Sequence, residues 1–370
     1  MPSAAASLHS PLHERHVRAG AKFADFAGWS MPLEYAGGGV LAEHNAVRQA
    51  VGVFDVSHLG KISVTGPGAA EFVNRCLTAD LGKIGPGQAQ YTLICNDSGG
   101  VVDDLIAYLY GPDEVFLIPN AANCAVVAAR LAAAAPTDIS VVDRHRDFAI
   151  LAVQGTESDE VLAAAGFPTG HPYMSFAAVE HPAGFVTVCR TGYTGERGYE
   201  LVMPTDAAEA VWDAVTAAGQ PYGLQPAGLG ARDTLRTEMG YPLHGQDISP
   251  SITPVQARLG WAVGWSKENF FGAAALRAEK AAGPQLVLRG LKAAGRGIPR
   301  PGMTVRSLAG DELGVVTSGT FSPTLKTGIA LALVSAELVE QDEVTVDIRT
   351  RQEPFRVTKP PFVTPGVREP

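Results

Sequence analysis

The amino-acid sequence predicts an α+β fold, with antiparallel sheets and helices over most of the chain and a small all-β unit at its end. Three observations carry that prediction. At 370 residues the chain exceeds what one hydrophobic core usually holds, so two or three domains are expected. Two successive stretches run strand, helix, hairpin, strand, helix, which hints at a duplicated unit and suits layers built on antiparallel sheets. From about Leu286 onward short β-rich runs alternate with Gly and Pro turns and no long helical pattern remains, the signature of a small barrel or sandwich.

In chain order, residues 41–50 have a helical pattern and 61–65 read as a short strand ended by Gly66-Pro67-Gly68. Residues 69–77 are helical because Phe72, Val73 and Cys76 fall on one side at spacings of three and four. The apolar runs 91–95 and 101–110 flank Asn96, Asp97, Ser98, Gly99 and Gly100, which is turn chemistry, so they form a hairpin. A strand at 115–118 follows, then an Ala-rich helix at 121–135 stopped by Pro136. The second stretch has strands at 148–153, 185–190 and 199–203 and helices at 158–165 and 207–218, and Gly228 opens a further helix. Residues 272–283 read as the connection to the last unit, with strands at 286–291, 314–318, 329–334 and 344–348. The expected division is 1–275 and 284–370.

Composition excludes several classes. The 46% hydrophobic and 18% charged residues are ordinary for a folded, soluble protein. A formal net charge of −9 argues against a nucleic-acid binder, which needs a basic surface to replace counterions along the phosphates. Cys76, Cys95, Cys124 and Cys189 are widely spaced among apolar residues, so they read as small core residues in a reducing compartment, and no metal is expected. Residues 1–23 carry Glu14, Arg15, Arg18 and Lys22 without a continuous apolar core, unlike a secretory signal. No run of eighteen apolar residues suggests a membrane span, so the expectation is a cytoplasmic protein.

Four segments hold candidate chemistry. Asp103 and Asp104 are adjacent in a strand-like run, where Asp is depleted, and neighbouring strand residues point to opposite faces. Such carboxylates can accept a proton or stabilise a cation, or can simply cap the turn or face water. The run from Arg190 to Glu200 places three glycines and two tyrosines between two strands and leaves Glu200 inside the second. A strand carboxylate there can accept two parallel N–H bonds from a flat heterocycle such as a pterin, or can lie exposed on an edge. Arg232 and Arg236, one helical turn apart, can bind an anionic ligand or pair with Asp233 and Glu238. His58, after Phe54-Asp-Val-Ser57, completes no Ser-His-Asp set nearby in sequence. Residues 37–42 fit a loose dinucleotide pattern but lack the preceding buried strand, and Gly60-Lys61 lacks the rest of a phosphate loop.

The ordered set Phe26-Ala-Gly-Trp-Ser-Met-Pro-Leu-Glu-Tyr35, Phe54-Asp-Val-Ser-His58, residues 96–105, Gly192-Tyr-Thr-Gly-Glu196 with Tyr199-Glu200, residues 228–236 and Thr317-Ser-Gly319 with Ser322-Pro323 resembles the glycine cleavage system T-protein family of aminomethyltransferases. The resemblance spans nearly the whole chain. It implies a three-lobed fold around a central tetrahydrofolate channel, two lobes from the first roughly three-quarters and one from the C-terminal barrel. It also implies transfer of the methylene of an aminomethyl group, carried on the lipoyl arm of the H-protein, to tetrahydrofolate with release of ammonia. By motif position the catalytic aspartate falls on Asp104, the pterin-holding carboxylate on Glu200 and a folate-contacting arginine on Arg232, with Tyr91, Asn120 and Tyr193 as further lining residues. Leu59 stands where the family often has Met, a volume-conserving change, and residues 359–370 lack the terminal tyrosines of some relatives.

Two other readings use the same scaffold. A stand-alone tetrahydrofolate-dependent demethylase would act on methylated amines or sulfonium compounds. A non-catalytic folate-binding factor for iron-sulfur assembly would carry a Lys-Gly-Cys-Tyr-x-Gly-Gln-Glu segment, where this chain has Arg190-Thr-Gly-Tyr-Thr-Gly-Glu-Arg197. Arg296, Arg300 and Arg306 are candidates for an anionic partner or a solvated face.

Overall fold

A computed structural model describes residues 7–367. Two sheets carry the duplication anticipated from the element order. The first contains Ile62–Thr65, Gln88–Cys95, Val101–Gly111, Glu114–Pro119 and Ser140–Asp143. The second contains Phe148–Gln154, Phe176–His181, Gly184–Cys189, Gly198–Pro204 and Gln225–Pro226. In each, a hairpin pairs with the next strand, which pairs with the first; the second sheet differs by the insertion of Gly52–Asp55 beside its last strand. Each half also places a helix after its first strand and another before its last.

The helices form because their apolar residues recur on one face. Ala69, Phe72, Val73 and Cys76 are the buried residues of Ala69–Cys76, and Cys124, Val127, Ala128 and Leu131 those of Cys124–Ala134. Ala208, Val211, Trp212 and Val215 repeat the spacing in Ala208–Gly219. Each large side chain so buried contributes roughly 1.5–3 kcal/mol. A central cluster joins Phe54, Ile150 and Val202 of one sheet to Ala89, Tyr108 and Ile118 of the other, together with Ala231 and Leu235 of the helix Leu229–Met239. The functional cavity opens at this junction.

Six strands close into the C-terminal barrel, in the order Leu286–Ala293, Thr327–Ser335, Glu312–Ser322, Thr304–Arg306, Glu343–Ile348 and Arg351–Thr358. All four strand runs expected there lie inside observed strands. Two strands went unanticipated, Thr304–Arg306 because it is short and Arg351–Thr358 because Pro354 and its charges disguise it. Residues 272–283, read from the sequence as a connection, instead hold the helix Ala273–Ala282, with Gly272 in a left-handed conformation at its start, Gly283 at positive φ at its end and Leu276 fully buried. The hairpin of Ala21–Phe26 and Trp29–Tyr35 was likewise missed. Residues 1–6 and 368–370 of the expected domains lie outside the described residues.

Helix Leu229–Met239 fastens the barrel to the sheets. Glu238 accepts hydrogen bonds from Arg48 at 2.8 Å and from Thr324 at 2.9 Å, and Ser322 also donates to it. Burial alone would push this carboxyl up, but His44, Ser322 and Arg48 hold it down at about 2. Its contribution is therefore full above the ordinary carboxylate value and is lost as pH falls from roughly 4.5 toward 2. Glu238→Gln should cost about 2 kcal/mol at neutral pH. The variant should also lose less stability than the wild type across that acid window, and denaturant titrations at pH 7 and pH 3.5 check both.

Candidate functional site

The hairpin places the two adjacent acids. Asn96 Oδ1 accepts from the N–H groups of Ser98 and Gly100 at 3.0 and 2.9 Å, and Gly99 takes a left-handed conformation, so the turn is capped by Asn96 and by neither aspartate. Asp103 and Asp104 lie in the strand beyond, opposite Ile94 and Leu93. Asp103 is wholly buried, whereas Asp104 lines a cavity of about 220 Å³. Tyr91, Asn120, Tyr193, Glu200 and Arg232 line the same cavity, so all six candidate residues converge although they are spread from position 91 to 232.

Around Asp104, Tyr91 donates its hydroxyl to Oδ2 at 3.0 Å and Asn120 donates its amide to Oδ1 at 2.8 Å. Burial pushes the Asp104 carboxyl up, against the opposing pull of Tyr91, His244 and Asn120. Burial likewise raises the Tyr91 phenol well above its ordinary value, so Tyr91 is a neutral donor. Asn120 sits where the strand Glu114–Pro119 turns into the 3-10 segment Ala121–Asn123, which aims its amide back at the hairpin.

Glu200, on the strand Gly198–Pro204, is 8% exposed. Thr191 donates to its Oε2 at 2.6 Å, and Thr191 in turn lies 3.2 Å from the Tyr108 hydroxyl. Oε1 has no protein partner among the described residues. The Arg232 guanidinium stacks over Tyr193 at 4.6 Å and makes no hydrogen bond or ion pair among the described residues. Burial lowers its pKa, opposed by the Glu200 charge. Arg236 turns the other way, onto Asp233 at 2.7 Å and Asp247 at 2.8 Å. The helix thus separates a structural arginine from one that faces the cavity. Glu238, an alternative partner by spacing, pairs with Arg48 instead.

Tyr193 donates to the carbonyl of Pro242 at 2.5 Å and stacks with Tyr241. His58 also lines the cavity, and burial followed by the Arg232 charge lowers it to about 3, so its imidazole is neutral. It joins no Ser-His-Asp set among the described residues: the Asp55 carboxylate is engaged by His16 at 2.8 Å. Trp261, 71% exposed, stacks on Tyr91 with ring centroids 5.3 Å apart and stands over the cavity lining. Thr191, Tyr108 and Trp261 carry no sequence signal that sets them apart from core or surface residues.

Cys124, Asp143 and His145 bring possible ligand atoms within 4.8 Å of one another. Their polar atoms are engaged internally: Cys124 with Asp143 at 3.6 Å, and His145 Nε2 with the His58 carbonyl at 2.7 Å. The four cysteines are free and buried. No helix among the described residues is long and apolar enough to cross a membrane.

Comparison with known proteins adds the relationship. The family model for the GCVT N-terminal domain matches residues 12–267, and that for the glycine cleavage T-protein C-terminal barrel domain matches residues 287–364. An aminomethyltransferase of Frankia alni is 64% identical, over 96% of this chain and 97% of its own. One from Mycobacterium tuberculosis is 58% identical over 98% of each. The crystal structure of glycine cleavage system aminomethyltransferase T from Bartonella henselae superposes with a TM-score of 0.91 at 36% identity, covering 97% of this chain and 98% of that one.

Proposed function

The chain belongs to the glycine cleavage T-protein family and is an aminomethyltransferase, and from that premise we propose that its cavity binds tetrahydrofolate and receives the aminomethyl-lipoyl arm of the H-protein. The observation that carries this reading is the convergence in a single cavity of one raised carboxyl, Asp104, with Glu200 Oε1 and the Arg232 guanidinium, neither of which has a hydrogen-bond partner among the described residues. The pterin of tetrahydrofolate offers an amide N–H and an exocyclic amine, the donor pair a carboxylate accepts side by side. Glu200 is the acceptor for that pair, and Arg232 supplies a cation for folate oxygen or carboxylate groups. Tyr193 and Tyr91 provide ring faces beside them.

Transfer turns R–S–CH2–NH2 and the two N–H groups of the folate into a methylene bridge, ammonia and a thiol. Two protons leave the folate nitrogens, one for the departing amine and one for the sulfur. Asp104, lifted toward neutrality by burial, takes a proton from a folate nitrogen as the new C–N bond forms and opposes the positive charge that develops on the methylene carbon. Tyr91 and Asn120 hold its oxygens in place for both tasks.

The purified chain should release ammonia from aminomethylated H-protein only when tetrahydrofolate is present, and should form methylenetetrahydrofolate in equal amount. No release with that pair, or turnover of a methylamine or sulfonium substrate in its place, would reject the proposal. For domain organisation we propose the limits 1–275 and 284–370, supported by the ends of the two family matches. A cytoplasmic location is also proposed.

A further inference from the structure

We infer that Asp103 is a positioning residue for the transfer: wholly buried behind Asp104, it locks Asn120 so that one side-chain amide holds the reacting carboxylate in place. This rests on the reading of Asp104 as the reacting acid. Asp103 Oδ2 accepts the backbone N–H of Asn120 at 2.9 Å, and Oδ1 accepts the side-chain amides of Asn120 at 2.8 Å and Asn123 at 2.7 Å. The same Asn120 amide nitrogen reaches Asp104 Oδ1 at 2.8 Å and the Asp104 carbonyl at 3.0 Å. One amide therefore ties the two acids together, although they stand on opposite faces of the strand.

The chain of bonds continues outward with a fixed polarity. His244 Nε2 lies 3.1 Å from the Val101 carbonyl, which can only accept, so Nε2 carries the proton and Nδ1 accepts from Asn123 at 3.0 Å. Every group facing Asp103 is then a donor, and no cation pairs with it among the described residues. An acid proton at that site would have nothing to donate to. A neutral asparagine there would turn an N–H toward another N–H, which explains why a buried, uncompensated carboxylate occupies the position despite its desolvation cost.

A consequence follows for Asp104. Burial pushes both acids above the ordinary range, and the Asp104 charge pushes Asp103 further; because donors alone face Asp103 among the described residues, a single proton held by the pair sits on Asp104, at the cavity, and Asp104 becomes the base once that proton is lost. Of the other titratable groups near Asp104, Tyr91 and Tyr193 are phenols raised far above neutrality by burial. His244 faces the same group, with Nδ1 3.0 Å from the Asn123 amide and Nε2 3.1 Å from the Val101 carbonyl, and pulls Asp104 down. The fixed charge of Asp103 is thus what tunes the base.

The test is the pH dependence of the single-turnover rate, with tetrahydrofolate affinity measured alongside. Asp103→Asn should lower the rate about 10²-fold through lost alignment, leave tetrahydrofolate affinity within about threefold, and move the acidic limb to lower pH because the repelling charge is gone. A wild-type rate, or an acidic limb that stays in place, overturns the inference. If that variant does not fold, Asn123→Ala decides. It removes one donor from Asp103 and keeps both acids, so the limb should move to higher pH; an unmoved or lowered limb overturns the inference. Asp104→Asn separates the two readings. Full activity there rejects the role of Asp104 itself, whereas an inactive Asp104→Asn beside an unaffected Asp103→Asn rejects only the positioning role.

Discussion

Asp104→Asn should reduce turnover by about 10³-fold while tetrahydrofolate affinity stays within about threefold of wild type. The variant is well matched to its surroundings. An asparagine at 104 can keep its oxygen on the Asn120 amide and turn its own amide toward Tyr91, whose hydroxyl can accept as readily as it donates. Shape and hydrogen bonding therefore survive, and what disappears is the ability to take a proton and to face a developing cation with a negative charge. The two losses act on the chemical step, so they fall on kcat rather than on binding. Rapid-quench measurement of ammonia release, with folate binding followed separately, reads each quantity. Wild-type turnover would reject the catalytic role, and a fall in folate affinity as large as the fall in turnover would make Asp104 a binding residue instead.

The sequence and the folded protein agree where local chemistry governs. The Asn96–Gly100 turn, the helix faces of Phe72, Val73 and Cys76, and the repeated order of elements all follow from spacing and turn residues, and all are present. The barrel strands with alternating apolar residues were legible for the same reason. The helix Ala273–Ala282 was not, because flanking glycines make a short Ala-rich run look like a linker. Its ends are nonetheless set by those glycines: a Cβ on Gly272 would lie 2.6 Å from the Asn96 carbonyl oxygen, so the helix begins against the hairpin turn it supports.

The candidate site was legible in a different way. Asp104, Glu200 and Arg232 are individually ambiguous, and it was their ordered occurrence with neighbouring motifs that singled them out. Of the residues around them, Tyr91, Asn120 and Tyr193 left such a trace, but what they bond to did not show. Strand alternation correctly assigns Asp103 and Asp104 to opposite faces, but it cannot reveal that Asn120, contributed by another strand end, reaches around to join them. Thr191 and Asn123 are missed for the same reason, since their value lies in a hydrogen-bond partner distant in sequence. Arg236 shows the converse error that spacing permits: one turn from Arg232, it is committed to Asp233, Asp247 and Ser318 and anchors the barrel.

Glu200→Ala should weaken tetrahydrofolate binding by about 30- to 150-fold, which corresponds to roughly 2–3 kcal/mol for a charge-assisted donor pair left without its acceptor. The protein itself is expected to tolerate the change. Thr191, which loses its 2.6 Å bond to Glu200, retains the Tyr108 hydroxyl at 3.2 Å, and Arg232 can stay over the Tyr193 ring. Glu200→Gln provides the sharper comparison. Its amide oxygen can satisfy Thr191, but its amide nitrogen then meets the pterin donors with a donor of its own, so it should bind folate no better than the alanine variant despite its near-identical shape. At saturating folate both variants should turn over within about threefold of wild type, because Asp104 and its hydrogen-bond partners are untouched. Equilibrium titration with tetrahydrofolate checks the pair: wild-type affinity in Glu200→Ala would remove the pterin from this carboxylate, and wild-type affinity in Glu200→Gln alone would show that volume, not the acceptor pair, is what position 200 supplies.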